Sequence, residues 1–176
     1  MSTTVGIVGF GRIGRNLFRL LYEREDVRIG AISDWNDPEP LEYLLKFDTL
    51  LGRFPGEVSI REGHLYSAGR RIRMITGKDQ PQPPPWGDLG VETVLEATSR
   101  GRTRAELEAH LAAGAKRVIA CAPPLEAPDA TIVMGVNDDA LDRRHRIVSN
   151  ASSTVHCIAP VVKILNDAFG IERALF

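Results

Sequence analysis

The stretch Val5-Gly6-Ile7-Val8-Gly9-Phe10-Gly11-Arg12-Ile13-Gly14 decides the fold of this chain. Val5 to Val8 make a short apolar run, mostly β-branched, which reads as a buried strand. Asn16-Leu17-Phe18-Arg19-Leu20-Leu21 then repeats apolar residues at helical spacing. A second β-rich run, Val27-Arg28-Ile29-Gly30-Ala31-Ile32, leads through Ser33 to Asp34, twenty residues beyond Gly14. Strand, glycine turn, helix, second strand and terminal acid together make a dinucleotide-binding fingerprint. Gly9 permits the tight turn, Gly11 lets backbone approach a pyrophosphate, and Gly14 lets helix and strand pack closely. The unpaired N–H groups and positive dipole end of the helix favour the diphosphate.

A competing reading has these glycines only turning the chain from strand into helix. The agreement of all five features favours the nucleotide site. Asp34 carries the cofactor choice: its carboxylate can accept from both ribose hydroxyls of NAD and repels the extra phosphate of NADP. Its other use is an Asx-type turn ahead of Asn36-Asp37-Pro38.

Outward from this unit, helix and strand patterns alternate as in a doubly wound sheet. A helix is expected from Glu39 to Phe47. Three short runs follow, Glu57–Ile60, His64–Tyr66 and Arg71–Ile75, and their alternation suggests small antiparallel strands inserted before the sheet resumes. Pro81, Pro83, Pro84 and Pro85 form an irregular connector. Val91–Glu96, Arg117–Ala120, Thr131–Met134 and Arg146–Val148 read as further strands, with a helix over Arg104–Ala113. The expected class is α/β: a Rossmann-type, doubly wound, mostly parallel sheet with a small antiparallel insertion.

The last helix signal is strong. Ser152 or Ser153 can cap it, and Gly170 closes it after Phe169. Val155, Ile158, Val162, Leu165 and Phe169 give its apolar stripe, with Pro160 as a bend. Arg173-Ala174-Leu175-Phe176 reads as the start of a strand, so the chain is expected to stop inside an element. Residues 1–150 are therefore expected to be the dinucleotide domain, and 151–176 the first helix and strand of an incomplete catalytic domain.

The chain has 176 residues, enough for a full core, with 43% hydrophobic and 26% charged residues. Lysine plus arginine number 22 against 23 acids, so charge gives no argument for a nucleic-acid or membrane partner. No apolar run is long enough to span a bilayer, and Met1-Ser2-Thr3 leaves no room for a signal peptide. Cys121 and Cys157 are far apart in apolar surroundings, which suits reduced thiols in a cytoplasmic protein. Both are expected to be core residues. No metal-ligand spacing occurs among the cysteines and the four scattered histidines.

Several motifs resemble glyceraldehyde-3-phosphate dehydrogenase. They include Val5 to Arg15, Phe47-Asp48 with Gly52-Arg53-Phe54, Trp86-Gly87-Asp88 and Gly114-Ala115-Lys116-Arg117-Val118-Ile119. Met134-Gly135-Val136-Asn137, Ser149 to Cys157, Ala159-Pro160 and Asn166 to Ile171 continue the likeness. It runs along the whole chain but covers only the front half of the family's length. It implies NAD as cofactor, with backbone at Arg12 and Ile13 on the pyrophosphate and Asp34 on the adenosine ribose. Phe10 lies inside the same glycine turn. Thr98 falls at a cofactor contact, with Ser99 in place of a usual glycine. Lys78 stands where an arginine near the adenine is common, Cys121 where serine or threonine is usual, and Val8 where the family has asparagine.

The resemblance also places the family's nucleophilic cysteine at Ser153, between the vestigial substrate positions Ser152 and Thr154. A thiolate at a helix N-terminus is stabilised by the dipole and attacks an aldehyde. Serine is a far weaker acid, and a dipole worth about 1 kcal/mol cannot ionise it. An engineered exchange, natural loss of the role, and a new Ser153–His156 pair are the explanations to weigh; joint departure at Val155 and His156 favours natural loss. As a plain structural residue, Ser153 would be a helix cap. The family's activating histidine and most phosphate-holding residues would lie past Phe176.

Three functional classes follow. One is an NAD-binding pseudoenzyme; another is part of an aldehyde-oxidising oxidoreductase completed by a missing segment or partner chain. The third is an interaction module that keeps only the fold. Residues 153–176 are expected to seek a partner, as a homo-oligomer or with another chain.

Overall fold

The computed structural model describes residues 2–78, 82–99 and 103–175. Strand β1 (Thr3–Val8) runs into helix α1 (Arg12–Leu21), then strand β2 (Val27–Asp34). Helix α2 (Pro38–Lys46) starts with proline at its first position, where no N–H partner is needed. A two-stranded ribbon, β3 (Phe47–Asp48) and β4 (Gly52–Arg53), follows. Next come β5 (Val58–Arg61), β6 (His64–Ser67), β7 (Arg70–Thr76) and β8 (Thr93–Glu96). Helix α3 (Arg104–Ala112) begins in a capping box between Thr103 and Glu106. Strand β9 (Arg117–Ala120), β10 (Ala130–Thr131), a 3-10 turn at Asp138–Ala140, β11 (Ile147–Ser149) and helix α4 (Ser153–Phe169) complete the described chain.

Among the described residues, nine strands form one sheet in the order β10-β11-β9-β8-β1-β2-β7-β6-β5. Every neighbouring pair from β10 across to β7 is parallel; β6 and β5 extend the far edge antiparallel. The chain moves from β1 outward through β2, then returns at β8 to the other side of β1. That reversal creates a crevice at the carboxyl ends of the strands, where such sheets bind ligands.

The strand faces divide the core. Val5 and Ile7 of β1 point to one side, with Phe10, Phe18, Tyr22, Ile29 and Ile32. Val8 points to the other, with Trp86, Val94, Leu107, Val118 and Ile147. On the first side Phe18 stacks on Tyr22 at 5.9 Å between centroids, and Tyr22 meets Phe54 at 4.7 Å. These rings hold α1 and the ribbon segment onto the sheet.

Four expectations change. The run Arg71–Ile75 does not belong to a separate insertion: β7 pairs parallel with β2 from Ala31↔Arg73 to Asp34↔Thr76, while its other edge carries the β6–β5 hairpin. Met74 and Ile75 are both buried, as in a strand covered on two faces. The run Thr131–Met134 contributes only Thr131 to β10, because the Asn137 side chain takes the Val133 N–H at 2.8 Å and turns the backbone away. Residues 173–175 pair with no strand among the described residues, and Phe176 lies outside them. Pro81 of the proline connector lies outside them as well.

The fourth concerns α4. It forms as expected, runs through Pro160, and ends at Gly170 with φ +72°. None of its residues is buried, so Cys157 is exposed rather than a core residue. Val161, Ile164 and Phe169 are also open to solvent.

Candidate functional site

Gly9 has φ +83°, a conformation that glycine adopts without a side-chain penalty. Its N–H donates to the Ser33 carbonyl at 2.8 Å, and the Ala97 N–H donates to the Val8 carbonyl at 2.8 Å. These bonds tie the turn to β2 and β8 together. The next peptide is pinned on both sides: Phe10 N–H donates to Asp34 Oδ2 at 2.6 Å, and the Arg15 guanidinium donates to the Phe10 carbonyl at 3.0 Å. Burial lowers the pKa of that guanidinium, opposed by the nearby Asp48 and Asp34 charges.

The other two glycines differ in kind. A Cβ on Gly14 would lie 1.9 Å from the Gly9 carbonyl oxygen, so helix and turn can touch only there without a side chain. A Cβ on Gly11 would meet nothing within 4 Å. Space is therefore kept open in front of Gly11, where α1 begins with no side-chain cap on its first N–H groups. The donor set suits an anionic diphosphate.

This turn forms one wall of a cleft of about 840 Å³ at the carboxyl ends of β1, β2, β7, β8 and β9. Gly9, Gly11, Arg12, Ile13, Asp34, Lys78, Thr98, Ser99 and Cys121 line it. All the expected cofactor residues thus meet in one place except Phe10 and Gly14. Those two act from behind: the Phe10 ring is fully buried against Phe18, and Gly14 is buried under the turn. Trp35, Asn36, Ala97 and Ala122 also line the cleft and were not singled out from sequence. Their signal was position alone, each following a strand end.

Asp34 makes the expected Asx turn and at the same time lines the cleft. Oδ1 accepts from the Asn36 backbone N–H at 2.8 Å and the Asn36 side-chain amide at 2.7 Å, forming the Asx turn. Oδ2 holds the Phe10 N–H. A carboxylate has about four acceptor sites, so one remains, and a second appears if the Asn36 amide swings aside. Cys121 is half-buried, and desolvation, aided by the Glu96 charge, pushes its thiol up to about 11. It lines the cleft wall as a protonated thiol at neutral pH.

Ser152, Ser153 and Thr154 are not in this cleft. Ser152, and not Ser153, caps α4: its Oγ accepts from Val155 N–H at 3.2 Å. Ser153 is the first helical residue and is exposed. His156 does not make the expected alternative pair with it, since its Nε2 sits 2.8 Å from the Asn150 carbonyl. Ala151, just before the cap, is buried with φ +52°, a strained conformation for a residue with a Cβ. Among the described residues, no group of three or more His, Cys, Asp or Glu could hold a metal, and no helix is long and apolar enough to cross a membrane.

A parallel sheet with a glycine turn at its switch point defines a Rossmann-type dinucleotide-binding domain. The family model described as "Glyceraldehyde 3-phosphate dehydrogenase, NAD binding domain" matches residues 3–104. Glyceraldehyde-3-phosphate dehydrogenase of Mycobacterium leprae (strain TN) is 45% identical over 181 residues, covering 99% of this chain and 53% of that protein. The Mycobacterium avium protein of the same name is 44% identical over 181 residues, with the same coverage. That of Streptomyces coelicolor is 45% identical over 177 residues, covering 99% and 52%. The chain belongs to the glyceraldehyde-3-phosphate dehydrogenase family, and it carries the family's NAD-binding domain. It spans about half the length of the curated relatives it matches.

Proposed function

We propose that the chain holds NAD in the cleft below Gly11 and, by itself, performs no dehydrogenase chemistry. The convergence of the glycine turn, Asp34, Lys78 and Thr98 on one cleft carries this reading. Backbone N–H groups at Arg12 and Ile13 meet the diphosphate, and Asp34 reads the ribose hydroxyls. A 2′-phosphate would meet the Asp34 carboxylate, so NAD is preferred over NADP.

Ser153 occupies the nucleophile's place, with Ser152 and Thr154 as vestigial substrate positions beside it. A hydroxyl there is not ionised by a helix dipole worth about 1 kcal/mol. By the family resemblance, the activating histidine and most of the phosphate-holding residues would lie past Phe176. Ser153→Cys is therefore expected to restore no turnover: incubating the variant chain with glyceraldehyde 3-phosphate, phosphate and NAD should give no sustained rise at 340 nm. Steady production of NADH by that variant would overturn the proposal.

A second reading is favoured by the bare surface of α4. A helix with apolar residues on several faces is normally surrounded by protein. Residues 151–176 are then the first part of a catalytic domain, and the chain is one piece of an NAD-dependent aldehyde-oxidising enzyme, completed by further polypeptide or by a partner chain. Co-purification with a chain that confers activity would select this reading over the pseudoenzyme.

A further inference from the structure

Behind the cleft wall lies a buried polar chain that the cofactor reading leaves unused. Trp86, fully buried, donates its indole N–H to His110 Nδ1 at 3.0 Å. His110 Nε2 lies 3.2 Å from Glu96 Oε2. Glu96 Oε1 in turn faces the Thr98 backbone N–H at 2.9 Å and the Thr98 hydroxyl. Glu96 is 3% and His110 6% exposed, so water does not satisfy these groups.

The direction of the chain is fixed at one end. An indole N–H only donates, so His110 Nδ1 must accept and Nε2 carries the hydrogen. Nε2 then donates to Glu96, and a carboxylate that only accepts can take all three bonds offered to it. Thr98 carries the chain to the cofactor cleft, where its methyl group lies close to the glycine turn: a Cβ on Gly9 would be 2.6 Å from Thr98 Cγ2. His110 belongs to α3 and Trp86 to the core on the Val8 side of the sheet, far along the sequence from Gly9.

We infer that Glu96 is a positioning residue for the cofactor, holding Thr98 against the glycine turn through a Trp86–His110–Glu96 relay whose polarity the indole sets. The inference rests on the NAD reading above. Substitution by glutamine tests it sharply, because an amide has only one acceptor oxygen. With that oxygen toward Thr98, its NH2 faces the His110 N–H; turned over, the NH2 faces the Thr98 N–H. Either way two donors meet in a buried space.

The test is calorimetric titration of the full chain with NAD, for wild type, E96Q, T98V and E96Q/T98V. E96Q is expected to weaken NAD about tenfold or more, and the double variant to lose at least about threefold less than the product of the single losses. A second readout is the Trp86 indole N–H resonance, which NAD should shift in wild type but not in E96Q. If E96Q does not fold, T98V at its half-buried loop position decides: its Trp86 resonance must differ from wild type before any ligand is added. Wild-type affinity in E96Q, multiplicative losses in the double variant, or an unmoved Trp86 signal would each overturn the relay. No binding by the wild-type chain would instead defeat the NAD reading on which it rests.

Discussion

Gly14→Ala is expected to cost the folded chain on the order of 3 kcal/mol or more, while Gly11→Ala leaves its unfolding temperature close to that of wild type. The difference follows from what each added methyl would meet. At Gly14 it would stand 1.9 Å from the Gly9 carbonyl oxygen, in a turn whose Gly9 and Phe10 N–H groups are held by the Ser33 carbonyl and Asp34 Oδ2. Overpacking a core usually costs about 1–3 kcal/mol, and a backbone clash at this distance belongs at or above the top of that range. Against a total stability of roughly 5–15 kcal/mol, such a loss is readily seen in thermal or denaturant unfolding. At Gly11 the methyl enters open space, so folding is spared and NAD affinity falls instead. Calorimetric unfolding of both variants checks this; equal destabilisation would mean that helix and turn do not pack as described.

The second large effect is association through α4. Val161 is 54%, Ile164 67% and Phe169 83% exposed. Each such side chain forgoes roughly 1.5–3 kcal/mol of burial, so several together drive contact with another apolar surface. The chain is expected to self-associate at micromolar concentration and to bind a hydrophobic dye. A chain ending at residue 151 should be monomeric and nearly as stable, because no α4 residue belongs to either core cluster. The helix alone carries this expectation, since residues 173–175 supply no edge strand. Multi-angle light scattering on both chains decides it; a clean monomer of the full chain at high concentration, without dye binding, would contradict it.

The glycine turn, its flanking strands and Asp34 were legible because their chemistry sits within one local run, each residue tied to its neighbours by turn geometry or strand period. Their gathering into one cleft follows from parallel topology, which places every strand's carboxyl end on the same side. The Trp86–His110–Glu96 chain was not legible. Its members are 14 and 24 positions apart, and no periodicity marks a buried hydrogen bond across that span. Cys157 was misplaced for a related reason. An apolar helical stripe shows which face seeks cover, but not whether the cover is present in the same chain. The strand assigned to Arg71–Ile75 was correctly placed, but its partner was not, because alternation at its start resembles an edge while pairing with β2 is set by the sheet as a whole.

The geometry of the cleft leads most directly to NAD binding with the ribose read through Asp34. Titration calorimetry with NAD and NADP, on wild type and Asp34→Asn, measures this; asparagine removes the charge yet keeps an acceptor for the Phe10 N–H. The expected result is saturable one-to-one binding of NAD by wild type, NADP weaker by about tenfold or more, and a preference that shrinks in Asp34→Asn. No binding of NAD at millimolar concentration, or equal affinity of wild type for the two dinucleotides, would contradict it.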